Sequence, residues 1–440
     1  MSGPVLIAGA GLAGLSAAYH LEQAGKGDYL LLEAESRPGG LVRSERIAGF
    51  TFDYTGHLLH IKSDYMLKLM QKLCGDEMFL QDRSSKIIIG DAVTDYPIQV
   101  NTFGLPPDVI KECLLGIIKA KYESGIDRIE SFEDWILKSC GEGVAKWFMY
   151  PYNEKMWTVH PREMTCDWMG GFVPEPSVEA AIDGAIRPPS AKIGYNAQFW
   201  YSKSGGIEVL ARGFLPHIAP PKLNTRIEKI DIVGKRVYAG GDWIDYGTLI
   251  STLPVTVLVE MMGEGAPPEV RLAASKLKVA GIYSINYGVR GEPDGLREGT
   301  HWYYTPGEDL VFHRVGLPSN LADSMTPAKG HFSLCAEISY SEYKPISQAT
   351  VAEQTLDGLR RIGLLTADDE ILVERVLDLP YAYVIFDRNR ASALDSVFRF
   401  LNESGIMSIG RYGTWSYSTM EQAILDGRDA ACRIAGSKES

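Results

Sequence analysis

The chain has 440 residues, more than one ordinary domain needs and enough to bury sizeable cores in two or three lobes. Hydrophobic residues make up 45% and charged residues 23%, the composition of an ordinary soluble globular protein. The formal net charge is −12 and the basic residues are scattered, which argues against a nucleic-acid-binding face; any anionic ligand needs its own local arginines.

The N-terminal stretch from Pro4 to Tyr19 is apolar but lacks the basic start of a signal peptide. Val5–Ala8 reads as a short buried strand. Gly9-Ala10-Gly11-Leu12-Ala13-Gly14 follows, then a helical stretch through Gln23, then a second apolar run, Tyr29–Leu32, ending at Glu33. Strand, G-x-G-x-x-G, helix, strand and acid together are a dinucleotide-binding pattern of Rossmann type. Gly9 permits the tight turn, Gly11 lets a pyrophosphate reach the backbone where Leu12 and Ala13 open the helix, and Gly14 lets helix and strand pack closely. Glu33, followed by Ala34, stands where an acid takes ribose hydroxyls.

Further along, Pro107-Asp108 opens an amphipathic helix with Ile110, Cys113, Leu114, Ile117 and Ile118 on one face. Ser131-Phe132-Glu133-Asp134 reads as a capping box opening another. Arg226–Ile230 alternates as a strand would, and after the Gly240-Gly241 turn Tyr246–Pro254 reads as its return. From about Val279 to Cys335 alternation such as Ile282-Tyr283-Ser284-Ile285 predicts a second sheet. Ser418 or Thr419 is placed to cap a helix running from Met420 through Ala431, whose positive end would favour negative charge on a reduced cofactor. The six cysteines form no C-x-x-C pair and read as free thiols in a reducing compartment, with no metal site. No stretch reaches the length of a membrane span, so a cytoplasmic protein is expected.

The segment Arg37-Pro38-Gly39-Gly40-Leu41-Val42-Arg43-Ser44 resembles the R-x-G-G-x-x-x-S element of amine-oxidase-type flavoproteins, which implies FAD. A more specific likeness runs through the middle of the chain. Tyr150–Trp157, reading Y-P-Y-N-E-K-M-W, resembles the P-Y-N-x-K-x-W element of UDP-galactopyranose mutases, in particular their eukaryotic-type branch. In the same order Gly56-His57, Tyr96-Pro97-Ile98-Gln99, Trp302–Pro306 with Phe312-His313-Arg314, and Gly410–Tyr417 resemble other elements of that family.

The resemblance implies an α/β fold: a Rossmann-type FAD-binding domain, a helical insert, and a second, mostly antiparallel sheet roofing the flavin. Residues 1–90, completed by 200–260 and 395–440, would hold FAD; 100–195 would form the insert and 261–394 the sheet region. FAD would contact Gly9, Gly11, Leu12, Ala13, Gly14, Glu33, Ala34, Arg37, Gly39, Gly40, Leu41, Gly56, His57, Ile227, Gly410, Arg411, Ser418 and Met420. Arg314 would bind a nucleotide diphosphate, aided by Tyr304, Tyr383 and Tyr417. Asn153, Trp157 and Asn196 would line the sugar pocket, Tyr96 and Gln99 the uridine side, and His57 would lie against the isoalloxazine. The implied reaction interconverts pyranose and furanose forms of a UDP-sugar through nucleophilic N5 of reduced flavin, with NAD(P)H as a reductant and His57 and Arg314 at the reacting centre. Two positions depart from the family: Thr55 replaces the first glycine of its G-G-H, and Phe172 stands where it has a second phosphate-binding arginine, with Lys192 and Lys203 as candidate substitutes. The sugar and the oligomeric state stay open. So do an oxidase or desaturase of amine oxidase or protoporphyrinogen oxidase type and a non-catalytic flavin-binding protein.

Overall fold

Four short strands, the central two apolar runs that are largely buried, form a parallel sheet. Its order is Ile406–Ser408, Thr248–Ser251, Val5–Ala8, Tyr29–Leu32. The computed structural model describes residues 3–170, 173–188 and 197–436. Helix Leu12–Gln23 packs on this sheet, and the C-terminal helix Met420–Ala435 packs against it in turn. Small residues permit the close crossing: a Cβ on Gly427 would stand 2.3 Å from the Ala13 carbonyl oxygen, and Ser16 Oγ donates to Ile424 O at 2.6 Å. A three-stranded antiparallel sheet, Ile227–Asp231, Arg236–Ala239 and Asp242–Asp245, completes this lobe. Its second hairpin turns through Gly240 and Gly241, both at positive φ as such a two-residue turn requires.

The second lobe is built on a seven-stranded sheet. The order is Glu370–Val384, Val279–Arg290, His331–Tyr340, Arg314–Gly316, Trp302–Tyr304, Ser85–Ile89, Ala92–Asp95. All neighbours are antiparallel except Trp302–Tyr304 beside Ser85–Ile89. Residues 85–95, early in the chain, thus supply two of its strands. The alternation seen at 279–290 sorts the faces. Tyr283, Ile285, Tyr287 and Val289 join Phe312 and the helix Val351–Arg361 in one core, while Ile282 turns to the other side.

The region between is helical, as the pattern predicts. Helix Pro107–Tyr122 buries Val109, Cys113, Gly116 and Ile117. Ser131 caps helix Phe132–Ser139 with Asp134 in a reciprocal box. Gly141–Val144 continues through a π-helical turn, Ala145–Met149, into helix Tyr150–Trp157. Pro151 has no N–H to give the preceding turn and its ring needs room there, which accounts for the widened turn. The six cysteines form no disulfide. Among the described residues no helix is long and apolar enough to cross a membrane, and no cluster of three metal-ligating side chains occurs.

Candidate active site

One cavity of about 700 Å³ runs between the two lobes. At its glycine-rich end the three glycines divide the work. Gly9 sits at φ +99°, and a Cβ there would meet Thr252 Oγ1 at 2.3 Å; one on Gly14 would meet the Gly9 carbonyl oxygen at 1.9 Å. These two serve turn and packing. A Cβ on Gly11 would find only Gly40 Cα, at 3.9 Å, so bare backbone faces the cavity from both segments. Gly11 is also the first-turn boundary of helix Leu12–Gln23, and no side chain caps it. Its amides therefore offer an anion site. Glu33 accepts from Ala10 N at 2.8 Å on one oxygen and from Glu35 N at 2.9 Å on the other, leaving a lone pair on each for hydroxyl donors.

Leu12, Ala13, Ala34, Gly39, Gly40, Leu41, Ile227, Gly410 and Met420 border the same cavity. Thr419, not Ser418, caps the C-terminal helix, accepting from Gln422 N at 3.2 Å. Ser418 Oγ and His57 Nδ1 are buried at the cavity wall without partners among the described residues. Two orphaned polar atoms beside a bare-glycine cradle and a ribose acid fit a polar, dinucleotide-linked ring such as FAD. Burial, then the charges of Arg411 and Arg314, push the His57 imidazole down to about 4, so it is neutral at pH 7.

The other end is organised by sheet register. Ser284, Glu337, Arg314 and Tyr304 lie in one row across four strands. Arg314 Nε donates to Glu337 Oε2 at 2.8 Å and Nη2 to Oε1 at 2.9 Å. Glu337 is fully buried and also accepts from Gly56 N at 3.3 Å. This fork leaves Arg314 Nη1 with no protein acceptor among the described residues. Burial works most strongly against the Arg314 charge, but the Glu337 carboxylate and the neighbouring Tyr383, Tyr152 and Tyr304 together outweigh it and hold the guanidinium cationic. Two residues along, on the same face, Trp302 stands opposite Gly316 and its ring lies 4.7 Å under the Arg314 guanidinium. Tyr383 and Tyr417 also border the cavity, and Arg411 is fixed by Ser418 O at 2.7 Å and Ala382 O at 3.1 Å.

Several expected contacts lie elsewhere. Gly14 packs rather than lines, for the reason given. Arg37 turns away, donating to Ser44 O at 3.0 Å and lying 3.7 Å from Glu208. Asn153 and Trp157, one helical turn apart, bond each other at 3.2 Å, and Asn153 also donates to Met149 O. Trp157 is wholly buried behind Tyr383 and Tyr417, at 5.4 Å from each ring. Gln99 is buried with its amide on Pro174 O. Tyr96 stacks on Tyr304 at 4.7 Å, so these two form the layer behind the cavity wall. Lys203 is exposed and does not border the cavity. Asn196, Phe172 and Lys192 lie outside the described residues.

Sequence reasoning missed Glu337 and Arg83. Glu337 had a signal, as a lone carboxylate inside the apolar run Phe332–Ile338; such a charge asks for a buried partner. Arg83, which borders the cavity from the link between two strands, had none.

Two family profiles match the chain: an NAD(P)-binding Rossmann-like domain over residues 7–73 and a flavin-containing amine oxidoreductase over residues 138–435. Among solved structures, a reduced UDP-galactopyranose mutase is 28% identical with a TM-score of 0.94, over 99% of this chain and 94% of that one. A protein described as a protoporphyrinogen oxidase from Exiguobacterium sp. 255-15 is 16% identical with a TM-score of 0.76, over 99% of both chains. A fatty acid isomerase from P. acnes is 16% identical with a TM-score of 0.68, over 98% of this chain and 99% of that one. The last two share the fold.

Proposed function

The chain belongs to the flavin-containing amine oxidoreductase family, and from that premise we propose that it is an FAD-dependent nucleotide-sugar mutase, interconverting pyranose and furanose forms of a UDP-sugar. The observation that carries the proposal is the Arg314–Glu337 fork, which holds one cation in the cavity wall with a donor to spare, beside Tyr383, Tyr417 and His57. Likeness to a mutase structure at 28% identity supports the same reading.

In this reading the Gly11 and Gly40 backbones and the start of helix Leu12–Gln23 hold the FAD diphosphate. Glu33 takes the ribose, and Ile227, Gly410 and Met420 contact the rest. When bound and reduced, by NAD(P)H in a cytoplasmic setting, the flavin supplies a nucleophilic nitrogen to the anomeric carbon. The protein's share is electrostatic and positional. Arg314 stabilises the negative charge that grows on the diphosphate as the anomeric C–O bond breaks, and keeps that diphosphate in place to return. Tyr383 and Tyr417 add hydroxyl donors. Neutral His57 offers a hydrogen bond without a competing positive charge. The aromatic layer of Trp157, Tyr96 and Tyr304 backs the wall and limits water. Sugar and diphosphate are both retained, so no net oxidation occurs.

The test is direct. Anaerobic, dithionite-reduced enzyme is incubated with a panel of UDP-sugars, and the products are separated by anion-exchange chromatography. A furanose isomer formed by the reduced enzyme alone is the expected result. No isomer from any UDP-sugar, together with hydrogen peroxide release from amines in air, would replace this reading with an oxidase.

A further inference from the structure

Arg83 occupies the two-residue link between strands Met78–Asp82 and Ser85–Ile89, and it borders the cavity. Its placement is over-determined. The backbone N–H donates to Ala197 O at 2.8 Å, Nε donates to Ser85 Oγ at 2.9 Å, and Nη2 donates to the Tyr304 hydroxyl. The guanidinium also lies 5.7 Å from the Tyr96 ring centroid. Arg314 pairs with Glu337 and Arg226 with Glu35; among the described residues no carboxylate pairs with Arg83. A partly buried guanidinium that is fixed in position and has no carboxylate is prepared for an external anion. Tyr304 links it to the rest of the site. The Tyr304 oxygen accepts from Arg83, so its own proton is free to be donated elsewhere. Tyr304 is also the cross-strand partner of Arg314. Two cations of the cavity wall, Arg83 and Arg314, are therefore tied to one phenol in the layer behind it.

We propose that Arg83 is the second cation for the substrate's diphosphate, making the site selective for a nucleoside diphosphate over a nucleoside. This rests on the nucleotide-sugar reading above. It accounts for Phe172, an uncharged residue where the resembled family has an arginine: the charge is supplied by Arg83 instead. Arg83 binds through its remaining N–H groups, and Tyr304 holds it in place from behind the wall.

The experiment uses FAD-loaded protein and isothermal titration with two probes, UDP and uridine, on the wild type, Arg83→Ala and Arg83→Lys. Losing a charge-assisted contact predicts UDP binding weaker by ~10- to 100-fold in Arg83→Ala. Uridine binding should stay within about threefold. Arg83→Lys should recover part of the loss, because a point charge replaces the fork. The salt dependence of UDP binding should be shallower in Arg83→Ala than in the wild type. Equal UDP affinity in wild type and Arg83→Ala overturns the proposal alone. Equal losses for UDP and uridine also overturn it, since they mean Arg83 only props the Tyr96–Tyr304 stack. A wild type that binds no UDP overturns the nucleotide reading and this proposal with it.

Discussion

Gly56→Ala tests how the Arg314 end of the cavity is held. Gly56 is outside the left-handed backbone region, so alanine meets no conformational penalty there. The cost is space. An added Cβ would stand 1.9 Å from Trp302 Cζ2 and 2.0 Å from Cη2. The indole must retreat by roughly 1.5 Å to reach ordinary contact. Trp302 is only 4% exposed, the Arg314 guanidinium lies 4.7 Å from its ring, and Gly316 on the neighbouring strand is glycine for the same ring: a Cβ there would lie 2.6 Å from Cζ3. Overpacking of this kind costs about 1–3 kcal/mol. Because the ring carries Arg314 with it, UDP affinity should fall as well. The geometry also names its own remedy. Phenylalanine has neither of the two atoms that clash, so in a Trp302→Phe background Gly56→Ala should cost under ~0.5 kcal/mol. The double-mutant cycle then returns a coupling of about 1–3 kcal/mol. Urea unfolding of the FAD-loaded proteins measures it. If Gly56→Ala costs the same in both backgrounds, the clash is not the cause and the reasoning fails.

Two more expectations concern neighbours of Gly56. Thr55 is held at φ +66°, where a β-branched residue is strained and where the resembled family has glycine. Thr55→Gly should stabilise the protein by roughly 0.5–1 kcal/mol, the relieved strain less the glycine's extra unfolded entropy; a lower urea midpoint would contradict this. His57 titrates near 4 when folded and near 6.5 when unfolded, so between those values the unfolded chain binds more protons. Its contribution to stability is whole above pH 6.5 and is lost as the pH falls toward 4, by up to about 1.4 kcal/mol per pH unit. His57→Gln should flatten the stability curve in that window by up to one proton and leave it unchanged above pH 7. An unaltered slope would mean the imidazole is not buried neutral.

The dinucleotide end was legible because each element there is specified locally. The apolar run, the glycines at fixed offsets and the acid are contiguous, and the turn and cap residues state their own conformations. The helical insert was legible in the same way, down to Ser131 and its box. What the sequence withheld was non-local. Nothing in Trp302–Arg314 says that Tyr304, Arg314, Glu337 and Ser284 form one row, because register across four strands is set by the whole sheet. The family resemblance implies a sugar pocket lined by Asn153 and Trp157, whereas their i,i+4 spacing lets them satisfy each other. Arg83 carries no pattern at all; only its strand link brings it to the cavity.

The buried carboxylate also explains why the site depends on that register. A buried ion pair is a poor source of stability, since desolvation offsets most of the attraction. Its value here is directional. Glu337 engages Nε and Nη2 of Arg314 together, which fixes the plane of a guanidinium that borders the cavity and leaves Nη1 without a protein acceptor among the described residues. A lysine at 314 would keep the charge and lose that aim. An arginine without Glu337 would keep its donors and lose their orientation. The charge proposed to bind an anion and the charge that orients it therefore come from different strands, and a one-residue slip between those strands would send Glu337 to the opposite face of the sheet.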